Sequence, residues 1–164
     1  MASYANLKRD TAFALFAIGA VAATSFLGQI ATYPNLFPWY AGLNKPSFNP
    51  PNWVFAPVWT MLYALMAFAL WRILRVQKWS KHRNYALGLF LFLLVLNAAW
   101  SWMFFGAHSP LLGLINIVTQ FIVILATIFA FVRLDLLAAA CLLPMAAWVA
   151  FAGVLNTGIW LLNS

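Results

Sequence analysis

The sequence predicts an all-α integral membrane protein: a bundle of five transmembrane helices with a long structured outer loop between the first and second. Three observations predict this. Only 7% of the 164 residues are charged while 66% are hydrophobic, and a water-facing surface usually needs about a quarter charged. Five apolar stretches reach about 20 residues, the length a helix needs to cross about 30 Å of hydrocarbon. All the lysines and arginines except Lys45 gather at one end of an alternating five-span path. Open strands would leave backbone groups unpaired in lipid, so the spans are helical.

The first span is expected over residues 11–31. Lys8 and Arg9 before it, and Ala20-Val21-Ala22 within it, resemble a cleavable leader. The apolar run continues through Phe26, Leu27 and Ile30, so a retained helix is expected. The second span covers 53–76, with Arg72 and Arg75 reaching back to the interface. The third covers 85–105. Ser109-Pro110 reads as an N-cap with proline in the first turn, opening the fourth span at 111–132. Arg133-Leu134-Asp135 is a tight turn into the fifth, 136–162, which Pro144 should kink. Together they make one transmembrane domain over residues 1–164.

The formal net charge of +7 could suggest nucleic acid, but no water-facing surface exists to carry a basic patch. Membrane orientation accounts for it better. Lys8, Arg9, Arg72, Arg75, Lys78, Lys81, Arg83 and Arg133 fall on one side and Lys45 alone on the other. The positive-inside rule then places the N-terminus in the cytoplasm, with the first loop and C-terminus outside. Cys141 is a lone cysteine in an apolar run, and His82 and His108 fall in predicted loops without metal-ligand spacing. Asp10 and Asp135, the only acidic residues, lie at the cytoplasmic boundary. Ion-coupled transport and hydrolytic or phosphoryl chemistry are therefore not expected.

Residues 32–52 hold five of the eight prolines (Pro34, Pro38, Pro46, Pro50, Pro51), interleaved with Tyr33, Phe37, Trp39, Tyr40 and Phe48. Proline restricts the unfolded chain, so this segment orders at low entropic cost and reads as a packed lid. A loop resting on headgroups, with its aromatics in the interfacial belt, is the alternative.

Of nine tryptophans, Trp53, Trp71, Trp79, Trp102 and Trp160 lie near span ends and fit an interfacial belt. Trp59, Trp100 and Trp148 lie deeper. Trp59 and Tyr63 share a helix face, as do Asn97, Trp100 and Phe104, and Trp148, Phe151, Ala152 and Leu155 with Asn156 beside them. Indole and amide groups in hydrocarbon need partners and should point inward. These residues could simply pack against small neighbours such as Gly19, Ala98 and Ala150. As a set at one depth under one lid, they suggest a cavity for a flat hydrophobic ligand.

The stretch from Trp39-Tyr40 through Leu43, Lys45-Pro46 and Pro50-Pro51 to Trp53, followed by Trp59 and Tyr63, resembles the translocator protein family. That family is also called tryptophan-rich sensory protein (TspO/MBR) or peripheral-type benzodiazepine receptor. Leu96-Asn97-Ala98-Ala99-Trp100 and Pro144, Trp148, Phe151-Ala152 and Leu155-Asn156 resemble its third- and fifth-helix signatures. The resemblance implies a homodimeric five-helix bundle, in bacteria in the cytoplasmic (inner) membrane, that binds porphyrins such as protoporphyrin IX and requires no cofactor. It implies ligand contacts at Trp59, Asn97, Trp100, Trp148, Ala152, Leu155 and Asn156 under the lid. Trp59 and Trp148 match tryptophans implicated in light-dependent porphyrin breakdown. Phe48 stands where tryptophan is usual, Asn116 where an acid is common, and Leu112 where animal members have tryptophan. No Tyr followed by Lys or Arg closes the fifth span, so sterol binding is not expected.

Three functions follow as expectations. The first is a binding or sensing protein for porphyrins or related tetrapyrroles, regulating or transporting them, with Trp39 and Lys45 in the lid and Lys45 meeting a propionate. The second is an enzyme degrading porphyrin in light through Trp59 and Trp148. The third is an accessory subunit docked in lipid to a larger pigment–protein complex.

Overall fold

The computed structural model describes residues 2–76 and 80–164, so Lys78 and Trp79 lie outside the described residues. The described residues are helical apart from short connections. The helices are α1 (Ala2–Thr32), α2 (Phe55–Arg75), α3 (Lys81–Ser101), α4 (Pro110–Val132), α5 (Leu136–Ala140) and α6 (Leu143–Asn163). Five segments are long and apolar enough to span a membrane, the last combining α5 and α6.

The pattern on α4 shows why lipid must be the solvent. Val118, Ile122, Leu125 and Phe129 recur at helical spacing on the exposed face, while Asn116, Gln120 and Thr127 are buried. Water would reverse this arrangement. In lipid an inward polar group is stable when it finds a partner. Thr127 Oγ1 donates to Val123 O at 2.7 Å, and Thr24 Oγ1 to Ala20 O at 3.0 Å. Lipid tails are as apolar as leucine, so association depends on close packing. Ala69, Ala86 and Ala138 are fully buried and let backbones approach, while Phe90 and Phe131 stack at 5.8 Å between α3 and α4.

Around the bundle the neighbours run α2, α1, α3, α4, then α5 and α6. The ring closes between α2 and the short α5, whereas α2 and α6 make no comparable approach. At that closure the Arg72 guanidinium meets Asp135 Oδ2 at 2.7 Å, and Asp135 caps α5 by accepting from Ala138 N at 2.9 Å. The Arg133-Leu134-Asp135 turn is as predicted.

Three expectations need correction. The fifth span is two helices, broken at Cys141–Leu142, and Pro144 occupies the first turn of α6, where its missing N–H costs nothing. His82 is in the first turn of α3, with Nε2 2.9 Å from Ala130 O. Arg83, expected in a loop, is buried: its Nε and Nη2 donate to Ile73 O and Leu74 O, capping the end of α2. Ser80 caps α3 by accepting from Arg83 N at 3.1 Å, and that early start carries His82 and Arg83 into the helix.

Candidate ligand site

The lid is built from its prolines and amides. Tyr33–Asn35 and Leu36–Tyr40 continue α1 as irregular helical turns. An arm over residues 43–51, with a turn at Ser47–Phe48, then returns to α2. Lys45 Nζ donates to Tyr40 O at 2.6 Å and Leu43 O at 3.1 Å, and sits 4.5 Å from the centre of the Tyr40 ring. The ammonium therefore caps the lid's own helical turn. Asn44 N donates to Asn163 Oδ1 at 2.9 Å, and Asn163 Nδ2 returns a bond to Asn44 O at 2.8 Å. Pro46 rests on Gly158, where an added Cβ would lie 3.1 Å from Pro46 Cγ. The lid is thus fastened to the end of α6.

Beneath it lies an aromatic cluster. The Trp39 ring meets Phe104 edge-on at 5.4 Å and Phe105 at 6.1 Å. Tyr40 packs on Phe105 at 5.4 Å, and Phe104 stacks on Trp100 at 5.1 Å. Trp39 also lies flat on His108, whose Nε2 is 2.7 Å from Asn35 Oδ1. The expected lid residue Trp39 is thereby joined to Trp100 through one ring.

The remaining candidates lie on α2, α3 and α6. On α2, Trp59 and Tyr63 face each other at 5.3 Å. On α6, Trp148 lies 5.6 Å from Phe151 and is touched edge-on at 5.9 Å by Phe55 from the start of α2. Trp59, Tyr63, Trp148 and Ala152 are half-buried and pack partly against the main core. Tyr63 Oη donates to Asn97 Oδ1 at 2.8 Å, tying α2 to α3. Leu155 and Asn156 are buried, and Asn156 Nδ2 donates to Pro110 O at 2.6 Å.

Three buried polar atoms here have no protein partner: Trp100 Nε1, Asn116 Oδ1 and Asn156 Oδ1. One indole donor and two amide acceptors are what a largely apolar site offers to fix a ligand's orientation. Sequence reasoning missed Asn35, Phe55, Phe105 and His108. Phe55 and Phe105 look like any apolar residue near a span end, and the His108 contact depends on how the lid folds back. His108 is the one non-glycine residue with positive φ (51°) among those described, a conformation more common for histidine than for most residues.

The profile of the TspO/MBR family matches residues 16–161. The tryptophan-rich protein TspO of Chlorobaculum tepidum is 43% identical, over 89% of this chain and 92% of that protein. The translocator protein of Sus scrofa is 41% identical, over 74% of this chain and 73% of its own. Protein CrtK of Rhodobacter capsulatus is 33% identical, over 76% of this chain and 78% of its own. With five membrane-length helical segments, a structured loop between the first two and this match along nearly its whole length, the chain is an integral membrane protein that belongs to the TspO/MBR family.

Proposed function

We propose that this protein is a membrane receptor for porphyrins or related tetrapyrroles, held between the outer halves of α2 and α6 under the 33–51 lid. The observation that supports this is the pairing of aromatic rings on the two helices, Trp59 with Tyr63 on α2 and Trp148 with Phe151 on α6, with Phe55 of α2 set edge-on to Trp148. Trp59 and Tyr63 line one wall, Trp148 and Phe151 the other, and Asn97, Trp100, Ala152, Leu155 and Asn156 supply the floor. A macrocycle enters when Trp39 lifts from Phe104, which opens the aromatic cluster without breaking the core below. Lys45 serves the lid in the closed form and is the cation available to a propionate once the lid opens.

The charge distribution supports a cytoplasmic N-terminus, with the lid on the opposite face of a bacterial inner membrane. Gly19 and Ala23 lie on an exposed face of α1, and Gly19 has open space around it. This favours a homodimer that uses that face.

The experiment is a titration of the purified protein with protoporphyrin IX, haem and a non-planar amphiphile of similar hydrophobicity, following tryptophan fluorescence. Saturable quenching by the planar macrocycles alone is expected. Equal, non-saturating responses to all three would refute the reading.

A further inference from the structure

The basic end of the bundle holds an open cavity of about 470 Å³, far from the lid and lined by Asn6, Arg9, Phe13, Leu74, Arg75, Val76 and Arg83. Its three guanidinium groups come from three helices: Arg9 from α1, Arg75 from α2 and Arg83 from α3. One carboxylate answers them. Asp10 Oδ2 is 2.9 Å from Arg75 Nη2, and Asp10 Oδ1 is 3.8 Å from Arg9 Nε. Trp71 fixes that strand of contacts by donating to Asp10 O at 3.2 Å and lying 4.5 Å under the Arg75 guanidinium. Arg83 also caps the last carbonyls of α2, so α2's negative end is already neutralised. The cavity keeps a surplus of positive charge.

Its position decides what could fill it. Arg75 ends the second membrane-length helix and Arg83 opens the third, so the cavity sits at the boundary between hydrocarbon and headgroups. Phe13 and Leu74 give it an apolar wall on the bilayer side, and the arginines and Asn6 a polar one. A diffuse basic surface would attract any anion. A pocket between helices with a polar and an apolar side matches a phosphodiester joined to acyl chains.

We propose that this cavity is a binding site for the headgroup of an anionic phospholipid of the leaflet at the basic end, which holds α1, α2 and α3 together there. Arg9 and Arg75, whose side chains are 44% and 42% exposed, engage the phosphate, and Arg83 supplies a fixed charge behind them. This proposal is independent of the tetrapyrrole site.

The test is native mass spectrometry of the protein released from bilayers of phosphatidylcholine and phosphatidylglycerol. Preferential retention of phosphatidylglycerol is expected. Arg9→Gln with Arg75→Gln should lower that preference by roughly tenfold or more, while Lys81→Gln, at the same end outside the cavity, leaves it unchanged. Asp10→Asn should increase retention. Helical content by circular dichroism confirms that each variant is folded. Equal retention of both lipids by the unmodified protein overturns the proposal. So does an equal effect of Lys81→Gln, which would mean diffuse attraction. Displacement of the lipid by millimolar inorganic phosphate, with phosphate itself retained, would assign the cavity to a free anion instead.

Discussion

Trp39 and His108 lie face to face, with ring centroids 4.6 Å apart and planes 13° from parallel. One belongs to the lid and the other to the turn before α4, so this stack and the adjoining contact of His108 Nε2 with Asn35 Oδ1 latch the lid at its α1 end. The other fastening is at α6, through Asn163 and Gly158. The lid is thus held at both ends over the aromatic cluster.

Replacing His108 with glycine removes the stack and the amide contact and accommodates the positive φ. Ring stacking contributes about 0.5–1.5 kcal/mol beyond buried area. Hydrogen exchange of lid amides should accelerate several-fold, and ligand association and dissociation should both quicken. Unchanged lid exchange would show that the latch holds nothing.

Gly158→Leu tests the other fastening. Even a Cβ there would lie 3.1 Å from Pro46, so a branched side chain must displace the arm over residues 43–51. The helix itself tolerates leucine well. Thermal stability should change by less than about 1 kcal/mol, while ligand affinity falls as the roof lifts. Retained affinity would detach Pro46 from the site.

Tyr63→Phe deletes the hydroxyl that donates to Asn97 and leaves a buried acceptor without its partner. Hydrogen bonds between membrane helices are worth about 0.6 kcal/mol on average and up to about 1.7. Unfolding in mixed micelles should register a loss in that range. A neutral result would mean that Asn97 finds another donor.

Asp135 gives the predicted pH dependence. Burial alone would raise its pKa, but the Arg72 guanidinium and the N–H groups of Ala138 and Leu137 outweigh it and hold the carboxyl below its ordinary value. Its contribution is therefore present above the unfolded carboxylate's pKa and is lost as pH falls through the lower folded value. Asp135→Asn should remove up to about 1 kcal/mol near neutrality through loss of the ion pair, since asparagine still caps α5. It should also flatten the acid limb of the stability profile. An unchanged acid limb would place the titration elsewhere.

Much of the fold was legible because lipid makes the rules strict: span length, the Ser109-Pro110 start and the Arg133-Leu134-Asp135 turn follow from local chemistry. Ser109 accepts from Leu112 N at 3.2 Å, as an N-cap should. The break at Cys141–Leu142 was not legible beyond the presence of Pro144, because proline is compatible with either a kink or a fresh helix start. Within the site, helical spacing correctly grouped Trp59 with Tyr63 and Trp148 with Phe151. It could not show that Tyr63 reaches Asn97, or that Trp39 lands on His108, since such contacts depend on how separate elements meet. Lys45 shows the limit most clearly. Its isolation in the sequence suggests a ligand anchor, yet in the structure its ammonium is taken up by Tyr40 and Leu43 carbonyls.

If Trp59 and Trp148 grip a planar macrocycle between α2 and α6, as proposed, the sharpest check is the protoporphyrin IX dissociation constant of a Trp59→Leu, Trp148→Leu double variant, with Trp53→Leu as an exposed control. Affinity should weaken by about tenfold or more in the double variant and stay unaltered in the control, from two lost ring contacts. An unaltered constant in the double variant would contradict the proposal.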